Sequence, residues 1–265
     1  MRLTGGKHLA YCTNIHRGET WGETLANLER HTLAVRTQVC PDAPYAIGLR
    51  LGAAAARELA EPSTLTAFRR WLDHHNAYVF TINGFPYGTF HGTRVKEQVY
   101  APDWQTRERV EYTLRLADLI AEWVPAGVEG SISTVPGSFE PWMQAPAQGE
   151  TIARHVAEVA LRMHEITRDR GTELHLGLEP EPACWLETTD EFLHFYQNQL
   201  IPVGSAWLSA QSGMGRDEAE AVIRRHVGIN FDCCHLAIQY ESLADSLARL
   251  MGAGVKISKI HLSAA

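Results

Sequence analysis

The chain has 265 residues, 45% of them hydrophobic and 21% charged, a composition that can bury a sizeable core and excludes the disordered and fibrous classes. Its 24 Lys and Arg against 31 Asp and Glu give a formal net charge of −7. Because these charges form no blocks of one sign, no nucleic-acid-binding surface is expected, since such a surface clusters Lys and Arg against phosphates.

The sequence shows neither a membrane segment nor a disulfide framework. It has no run of about 18 apolar residues, which excludes a spanning helix, and its first residues lack the apolar stretch of a signal peptide. The cysteines are odd in number and show no C-x-x-C spacing: Cys12, Cys40, Cys184, Cys233 and Cys234. We expect a cytoplasmic protein without disulfide or zinc finger, while its oligomeric state stays open.

Seven short apolar or β-branched runs, most of them separated by helix-like sequence, predict seven β-strands. In chain order they cover residues 9–16, 45–52, 78–84, 128–135, 173–179, 227–232 and 257–262. Strands that alternate with helices are most simply arranged in parallel, with right-handed crossovers. The pattern therefore predicts an α/β protein, and with no linker or repeat to divide it, one domain over residues 1–265.

Helices are predicted from apolar stripes and capping patterns. The stripes cover residues 103–123 and 151–170, and Gly171 is expected to stop the second helix. Three capping boxes predict helix starts, because a side-chain oxygen and a carboxylate accept hydrogen bonds from the free N–H groups of a first turn. They are Thr20-x-x-Glu23, Thr188-x-x-Glu191 and Asp217-x-x-Glu220. Loops are expected over residues 85–102, 136–149 and 202–216.

Two α/β architectures compete, the open doubly wound sheet and the closed barrel. A dinucleotide-binding version of the first would place G-x-G-x-x-G directly after a strand, and none of the seven runs is followed by that motif. Gly84, Gly88 and Gly92 recur near the third run at four-residue spacing. That spacing indicates a turn-rich loop rather than a phosphate-binding fingerprint.

Polar residues collect where the predicted strands end. The period of two along a strand turns Glu179, Asp232 and His261 inward at equivalent heights of three successive strands. Buried ionised groups are costly unless they pair with one another or bind a metal. Carboxylate and imidazole ligands without thiolate suit Mn²⁺, Mg²⁺, Zn²⁺ or Co²⁺. These three residues are therefore predicted to hold a divalent metal or to pair with one another.

Further polar residues lie at strand ends or in the loops that follow, where α/β barrels place their chemistry. We expect these residues to contact a small-molecule substrate: Asn14, His16, Arg50, Asn83, His91, Glu181 and Lys259. Arg50 or Lys259 would hold a substrate oxyanion. Lys259 has a second interpretation as a Schiff-base nucleophile, because a desolvated lysine beside carboxylates can have a lowered pKa.

The last third of the chain resembles a known superfamily. The segments 178–180 (LEP), 231–238 (FDCCHLAI) and 260–262 (IHL) are similar to signatures of the xylose-isomerase-like TIM barrels, which include ketose 3-epimerases and endonuclease IV. The resemblance covers about residues 173–265 and implies a (β/α)8 barrel. It implies Glu179, Asp232 and His261 as metal ligands. Glu179 would also be a catalytic acid or base, and His235 a catalytic group that faces the substrate or the metal.

Such barrels usually supply a further carboxylate from an eighth strand. Only seven strands are predicted here, so the chain is expected to lack the eighth and to be truncated at its C-terminal end. We expect parallel strands in sequential order around an incomplete ring, with a gap between the first and the seventh.

Two N-terminal segments resemble one group within this superfamily more closely. Residues 11–21 (YCTNIHRGETW) and 83–91 (NGFPYGTFH) are similar to the metabolite-traffic proteins called EboE, which implies a role in handling or exporting an operon's metabolite. The favoured hypothesis is a metal-dependent isomerase or epimerase, in which the metal eases enediolate formation and Glu179 moves the proton. The alternatives are a non-catalytic metabolite-binding barrel and a Schiff-base lyase that uses Lys259.

Overall fold

Seven parallel strands form one sheet whose spatial order follows the chain. The computed structural model describes residues 1–88 and 96–263. The strands are β1 Tyr11–Cys12, β2 Tyr45–Arg50, β3 Ala77–Asn83, β4 Gly130–Thr134, β5 Leu174–Leu178, β6 Val227–Asp232 and β7 Lys256–His261. Each overlaps one predicted run, so the predicted strands and their parallel arrangement are confirmed. The sequential order excludes a doubly wound sheet, in which the first strand lies in the middle.

Helices occupy the connections between the strands. Within the described ranges they are α1 Trp21–Asn27, α2 Leu33–Val39, α3 Ala53–Leu59, α4 Pro62–His74, α5 Arg107–Ile120, α6 Pro146–Arg170, α7 Thr189–Phe195, α8 Ser205–Ser212, α9 Arg216–His226, α10 Cys233–Ile238 and α11 Leu243–Gly252. Turns of π-helix join α1 to α2 and α7 to α8. Across the residues that the structure describes, no helix is long and apolar enough to cross a membrane.

Most predicted helix signals are confirmed. The side chains of Thr20 and Thr188 accept hydrogen bonds from the backbone N–H groups of Glu23 and Glu191, and both capping boxes are complete. Helix α6 buries its predicted apolar stripe against the core and ends at Gly171, whose backbone is left-handed with a φ of 69°. Glycine adopts this conformation without steric cost, which explains the stop.

Two local predictions are wrong, and in addition α6 begins at Pro146, inside the loop expected over residues 136–149. Residues 202–216, expected as a loop, are helical as far as Ser212, because Pro202 lies inside a π-helical turn and the helix continues beyond it. Asp217 is not a helix cap, since α9 begins at Arg216 and its cap is Gly215, which supplies the extended backbone (φ −61°, ψ 156°). Asp217 instead lies in the first turn, where a negative charge favours the positive end of the helix dipole.

Polar side chains connect strands across the inside of the sheet. His175 Nδ1 lies 2.7 Å from Ser258 Oγ, which joins β5 to β7. Lys259 Nζ donates to Ser133 Oγ at 3.1 Å, which joins β7 to β4. Because these pairs link strands that are not neighbours, the sheet must curl into a half-barrel with its polar face inside.

Strands β1 and β7 are the two edges of the half-barrel. Among the described residues, β1 pairs only with β2 and β7 only with β6, which confirms the predicted incomplete ring. On β7 the outward residue Ile260 is 48% exposed, and Leu262 beyond it is 78% exposed. The strand pattern predicts these two side chains under a helix, but within residues 1–88 and 96–263 no helix follows β7 to cover them.

Candidate metal centre

Three ionisable side chains meet at the carboxyl ends of three adjacent strands. Glu179 directly follows β5, Asp232 ends β6 and His261 ends β7. Asp232 and His261 are register partners, so their side chains leave the sheet at the same height. One potential ligand atom from each residue lies within 4.8 Å of those of the other two. The structure thus brings together the three predicted metal ligands.

The histidine lies between the two carboxylates. His261 Nδ1 is 3.1 Å from Glu179 Oε1 and 3.2 Å from Asp232 Oδ2. Both carboxylates are buried, with Glu179 5% and Asp232 6% exposed. Two carboxylates in a dry site repel one another, and a positive charge between them relieves that repulsion. In this arrangement the charge belongs to a protonated His261 or to a cation.

The pKa values of Asp232 and His261 reflect the charges that this site brings together. Burial alone would raise the pKa of Asp232, but hydrogen bonds from His261 and Ser263 bring that pKa below its ordinary value. Burial would lower the pKa of His261, and its hydrogen bonds to Asp232 and Glu179 outweigh burial and raise it. Both shifts have the same physical cause, the electrostatic coupling of an imidazole to two carboxylates.

Two buried polar atoms of the cluster lack a hydrogen-bond partner among the described residues. They are Glu179 Oε2 and His261 Nε2. Buried polar atoms are nearly always paired, so orphaned atoms in a native site call for an unseen partner. A carboxylate oxygen and an imidazole nitrogen are both ligands of divalent cations. The donor set and the orphaned atoms therefore fit a metal ion.

Two further predicted residues flank the cluster. His235, on α10, has its Nδ1 4.0 Å from Glu179 Oε1 and its Nε2 3.9 Å from both Asp232 Oδ2 and Glu181 Oε2. Its Nδ1 also lies 3.2 Å from the Pro180 carbonyl oxygen. Burial and the charge of Glu179 raise the pKa of Glu181 to about 8. A third carboxyl group and a second imidazole thus line the same opening.

Lys259 lies below this opening, inside the barrel. Its ammonium donates to Ser133 Oγ, and burial lowers its pKa although the charges of Glu179 and Asp232 act in the opposite direction. The predicted inward direction of Lys259 agrees with these contacts.

The other predicted substrate contacts lie on the β1 to β3 side. Arg50 donates to the Gly18 carbonyl at 2.9 Å and to Glu19 Oε1 at 3.2 Å. Asn83 Oδ1 accepts from the Phe85 N–H at 2.9 Å, and so shapes the turn after β3.

The loop after β1 carries the remaining two of these residues. His16 Nε2 lies 3.0 Å from the Tyr11 hydroxyl, and its ring stacks on His31. Asn14 Oδ1 is buried and has no hydrogen-bond partner among the described residues. His91, predicted to contact substrate, lies outside the residues that the structure describes.

Sequence reasoning did not assign two residues that touch the cluster. Asn230 Nδ2 lies 3.3 Å from His261 Nδ1, and the Ser263 hydroxyl donates to Asp232 Oδ1 at 2.5 Å. The period of two along β6 turns Asn230 inward, like Asp232 two residues later, so the inward direction of Asn230 could have been used to predict this contact. Ser263 follows the last strand and carries no pattern that could have indicated its contact.

The fold and the site together define a class: a parallel β/α half-barrel with carboxylates and histidines clustered at the carboxyl ends of its last three strands. No protein-family model matches this chain, and no curated protein matches it. Among solved structures it is similar to the probable 3-DHS dehydratase AsbF of petrobactin synthesis from Bacillus anthracis, with 13% identity, a TM-score of 0.43, and coverage of 78% of this chain and 59% of that one.

It is also similar to the IolI protein, solved with a binding zinc atom. Here the identity is 16%, the TM-score is 0.47, and the match covers 84% of this chain and 65% of the other. The matches thus span less than two thirds of the length of either solved protein.

Proposed function

We propose that this chain binds a divalent metal through Glu179, Asp232 and His261 and catalyses isomerisation or epimerisation of a small polyhydroxylated or carbonyl metabolite. The observation that carries the proposal is the orphaned pair of atoms, Glu179 Oε2 and His261 Nε2, buried in a cluster whose ligand atoms lie within 4.8 Å of one another. Oxygen and nitrogen ligands without thiolate favour Mn²⁺, Mg²⁺, Zn²⁺ or Co²⁺.

The side chains around the opening supply the remaining parts of such a reaction. A bound divalent ion supplies Lewis-acid polarisation of a substrate carbonyl. The Glu179 carboxylate oxygen that does not hold the metal would accept the proton from the carbon next to that carbonyl and return it to the neighbouring carbon in an isomerisation, whereas an epimerisation would need a second acid on the other face. The Lys259 ammonium donates to the substrate oxygen on which negative charge develops, and His235 hydrogen-bonds a substrate hydroxyl at the rim.

The same proposal includes the metabolite-handling role that the EboE resemblance implies, in the cytoplasm. Two other functions use the same opening. A non-catalytic barrel would bind metal and metabolite without moving a proton. A Schiff-base lyase would use Lys259, and burial of its ammonium, which lowers its pKa, favours that chemistry.

Deuterium incorporation tests the proposal. The metal-loaded protein is incubated in D₂O with a panel of ketoses, aldoses and polyhydroxylated acids, and NMR reads exchange at the carbon next to the carbonyl. We expect exchange with at least one compound. Glu179→Gln should slow it at least about a hundredfold, because removing a positioned base typically has that effect.

Glu150→Gln is the matched control, since Glu150 is exposed and pairs with Arg154 on the outer surface. Exchange at the wild-type rate in Glu179→Gln would remove the catalytic role of that residue. Metal binding with no exchange in any compound would leave the metabolite-binding function. A product trapped by borohydride on Lys259 would favour the lyase.

A further inference from the structure

A cleft separate from the metal cluster opens beside the loop that follows β1. It is small and continuous with solvent. We name it the donor cleft. Its polar lining residues are Thr13, His16, Arg17, Thr24, Asn27 and Arg50. Gly18 and Leu28 complete the lining. The cleft thus lies between the ends of β1 and β2 and the helix α1.

The chemistry of the donor cleft is that of an anion site. Among the described residues its lining contains two guanidinium groups, one imidazole, one carboxamide and two hydroxyls, and no carboxylate. The Thr24 hydroxyl and the Asn27 amide already donate to the carbonyl oxygens of Thr20 and Arg17, so the two guanidinium groups are its main donors. Glu19 pairs with Arg50 from outside the lining, so one of the two positive charges is compensated and one is in excess. Guanidinium groups bind carboxylate and phosphate through two parallel hydrogen bonds.

Arg50 is held in place rather than mobile. Its side chain is 3% exposed, and its guanidinium donates to the carbonyl oxygens of Gly18 and Gly88 as well as to Glu19. A charged group fixed in this way loses little entropy when a ligand arrives, so it recognises an anion more effectively than a free surface arginine. The contacts to Gly18 and Gly88 also place it at the junction of two loops.

The donor cleft opens at the same end of the half-barrel as the metal cluster. Arg50 ends β2 and Thr13 follows β1, just as Glu179 follows β5 and His261 ends β7. The donor cleft and the metal cluster therefore lie at the same end of one curled sheet, where its parallel strands finish.

We propose that the donor cleft binds an oxyanionic group of the substrate, a phosphate or a carboxylate. The substrate class is then an acidic or phosphorylated polyhydroxylated carbonyl compound, an assignment that rests on the proposed function. The enclosed space is about the size of one water molecule, so the cleft takes an oxygen atom of the anionic group and leaves the rest of the substrate outside it.

Direct binding of simple anions tests this inference without any metal. Inorganic phosphate and acetate are titrated separately into the full chain after chelator treatment, at low ionic strength, and calorimetry reads the affinity. We expect one-to-one binding of at least one anion. Arg17→Gln should weaken it about tenfold, as loss of one charge-assisted hydrogen bond does.

Two further variants sharpen the result. Arg50→Lys keeps the charge but loses the planar fork, and should also weaken binding. Arg70→Gln is the control, because Arg70 is also exposed but lies on α4, outside the lining of the cleft. Tighter binding of phosphate than of acetate would identify a phosphorylated substrate, and the reverse order an acid.

Binding of neither anion would overturn the inference, as would equal affinities in wild type, Arg17→Gln and Arg50→Lys. Metal binding is measured on the same preparations. If the metal binds and the anions do not, only the donor cleft is refuted. If the anions bind and the metal does not, the proposed function fails while the anion site stands.

Discussion

Asp232→Asn is expected to weaken divalent-metal binding on the order of a hundredfold or more, since changes in the groups around metal ligands alone reach that size. The substitution replaces an anionic ligand with a neutral amide of the same shape. It also removes one of the two carboxylates that contact His261 Nδ1. Competition between the protein and a chelator for Mn²⁺, Zn²⁺ and Co²⁺ measures the change.

The variant is designed to leave the fold intact. Asp232 Oδ1 caps α10 by accepting the N–H groups of Cys234 and His235, and asparagine is an equally good helix cap. The helix cap is therefore kept, but the free energy of unfolding in chelator should fall, because the ionised carboxylate that pairs with His261 and Ser263 is lost; denaturant unfolding measures this loss separately from metal affinity. Asp190→Asn, at an exposed surface pair with Arg249, is the control. Wild-type metal affinity in Asp232→Asn would exclude Asp232 as a ligand.

The second large effect concerns acid stability and lies far from the metal cluster. His226 is fully buried, its Nδ1–H donates to the Leu174 carbonyl oxygen at 2.6 Å, and its Nε2 has no hydrogen-bond partner among the described residues. Burial lowers its pKa from 6.5 to about 4; the hydrogen bond to Leu174 and the charge of Glu173 oppose this shift, and His164 and Arg225 add to it.

The direction of the pH dependence follows from this lowered pKa. Above pH 6.5 His226 is neutral in the folded and unfolded chains, and its contribution is complete. As the pH falls from 6.5 to 4, only the unfolded chain takes up the proton, so the free energy of unfolding falls by roughly 3 kcal/mol. Below pH 4 both states are protonated and this loss stops.

His226→Asn separates this histidine from the carboxylates that also titrate. Asparagine offers an N–H to the same carbonyl and carries no titratable proton. Denaturant unfolding at pH 7 and at pH 4 should show that the variant loses roughly 3 kcal/mol less stability than wild type across the interval. Parallel losses in the two proteins would show that His226 does not titrate across this range.

The fold was largely open to prediction because strand and helix signals in this chain agree with one another. Alternating apolar runs marked all seven strands, and β6 has the predicted bounds, Val227–Asp232. The secondary-structure predictions were wrong where the local composition favoured a different structure from the one formed. Residues 202–216 contain proline, glycine and serine, which suggests a loop, yet the buried side chains of Ile201 and Leu208 stabilise a helix there. Tertiary packing outweighed local preference.

The convergence of Glu179, Asp232 and His261 was also predictable, because parallel strands end at one edge and side-chain phase selects the inner face. The hydrogen-bond partners of individual side chains could not be predicted. Arg50 faces the site end as predicted, but its bonds to Glu19 and Gly88 depend on the paths of two loops. Loop paths are set by tertiary contacts that no periodicity encodes.

Anomalous diffraction tests the central claim most directly. Crystals of the chain soaked in Mn²⁺ or Zn²⁺ are measured on both sides of the metal's absorption edge, so that the difference map locates the ion. We predict one strong peak at the mouth of the half-barrel, about 2.0 to 2.3 Å from oxygen or nitrogen atoms of Glu179, Asp232 and His261. A map with no peak there, or with its peak at other residues, would contradict the account.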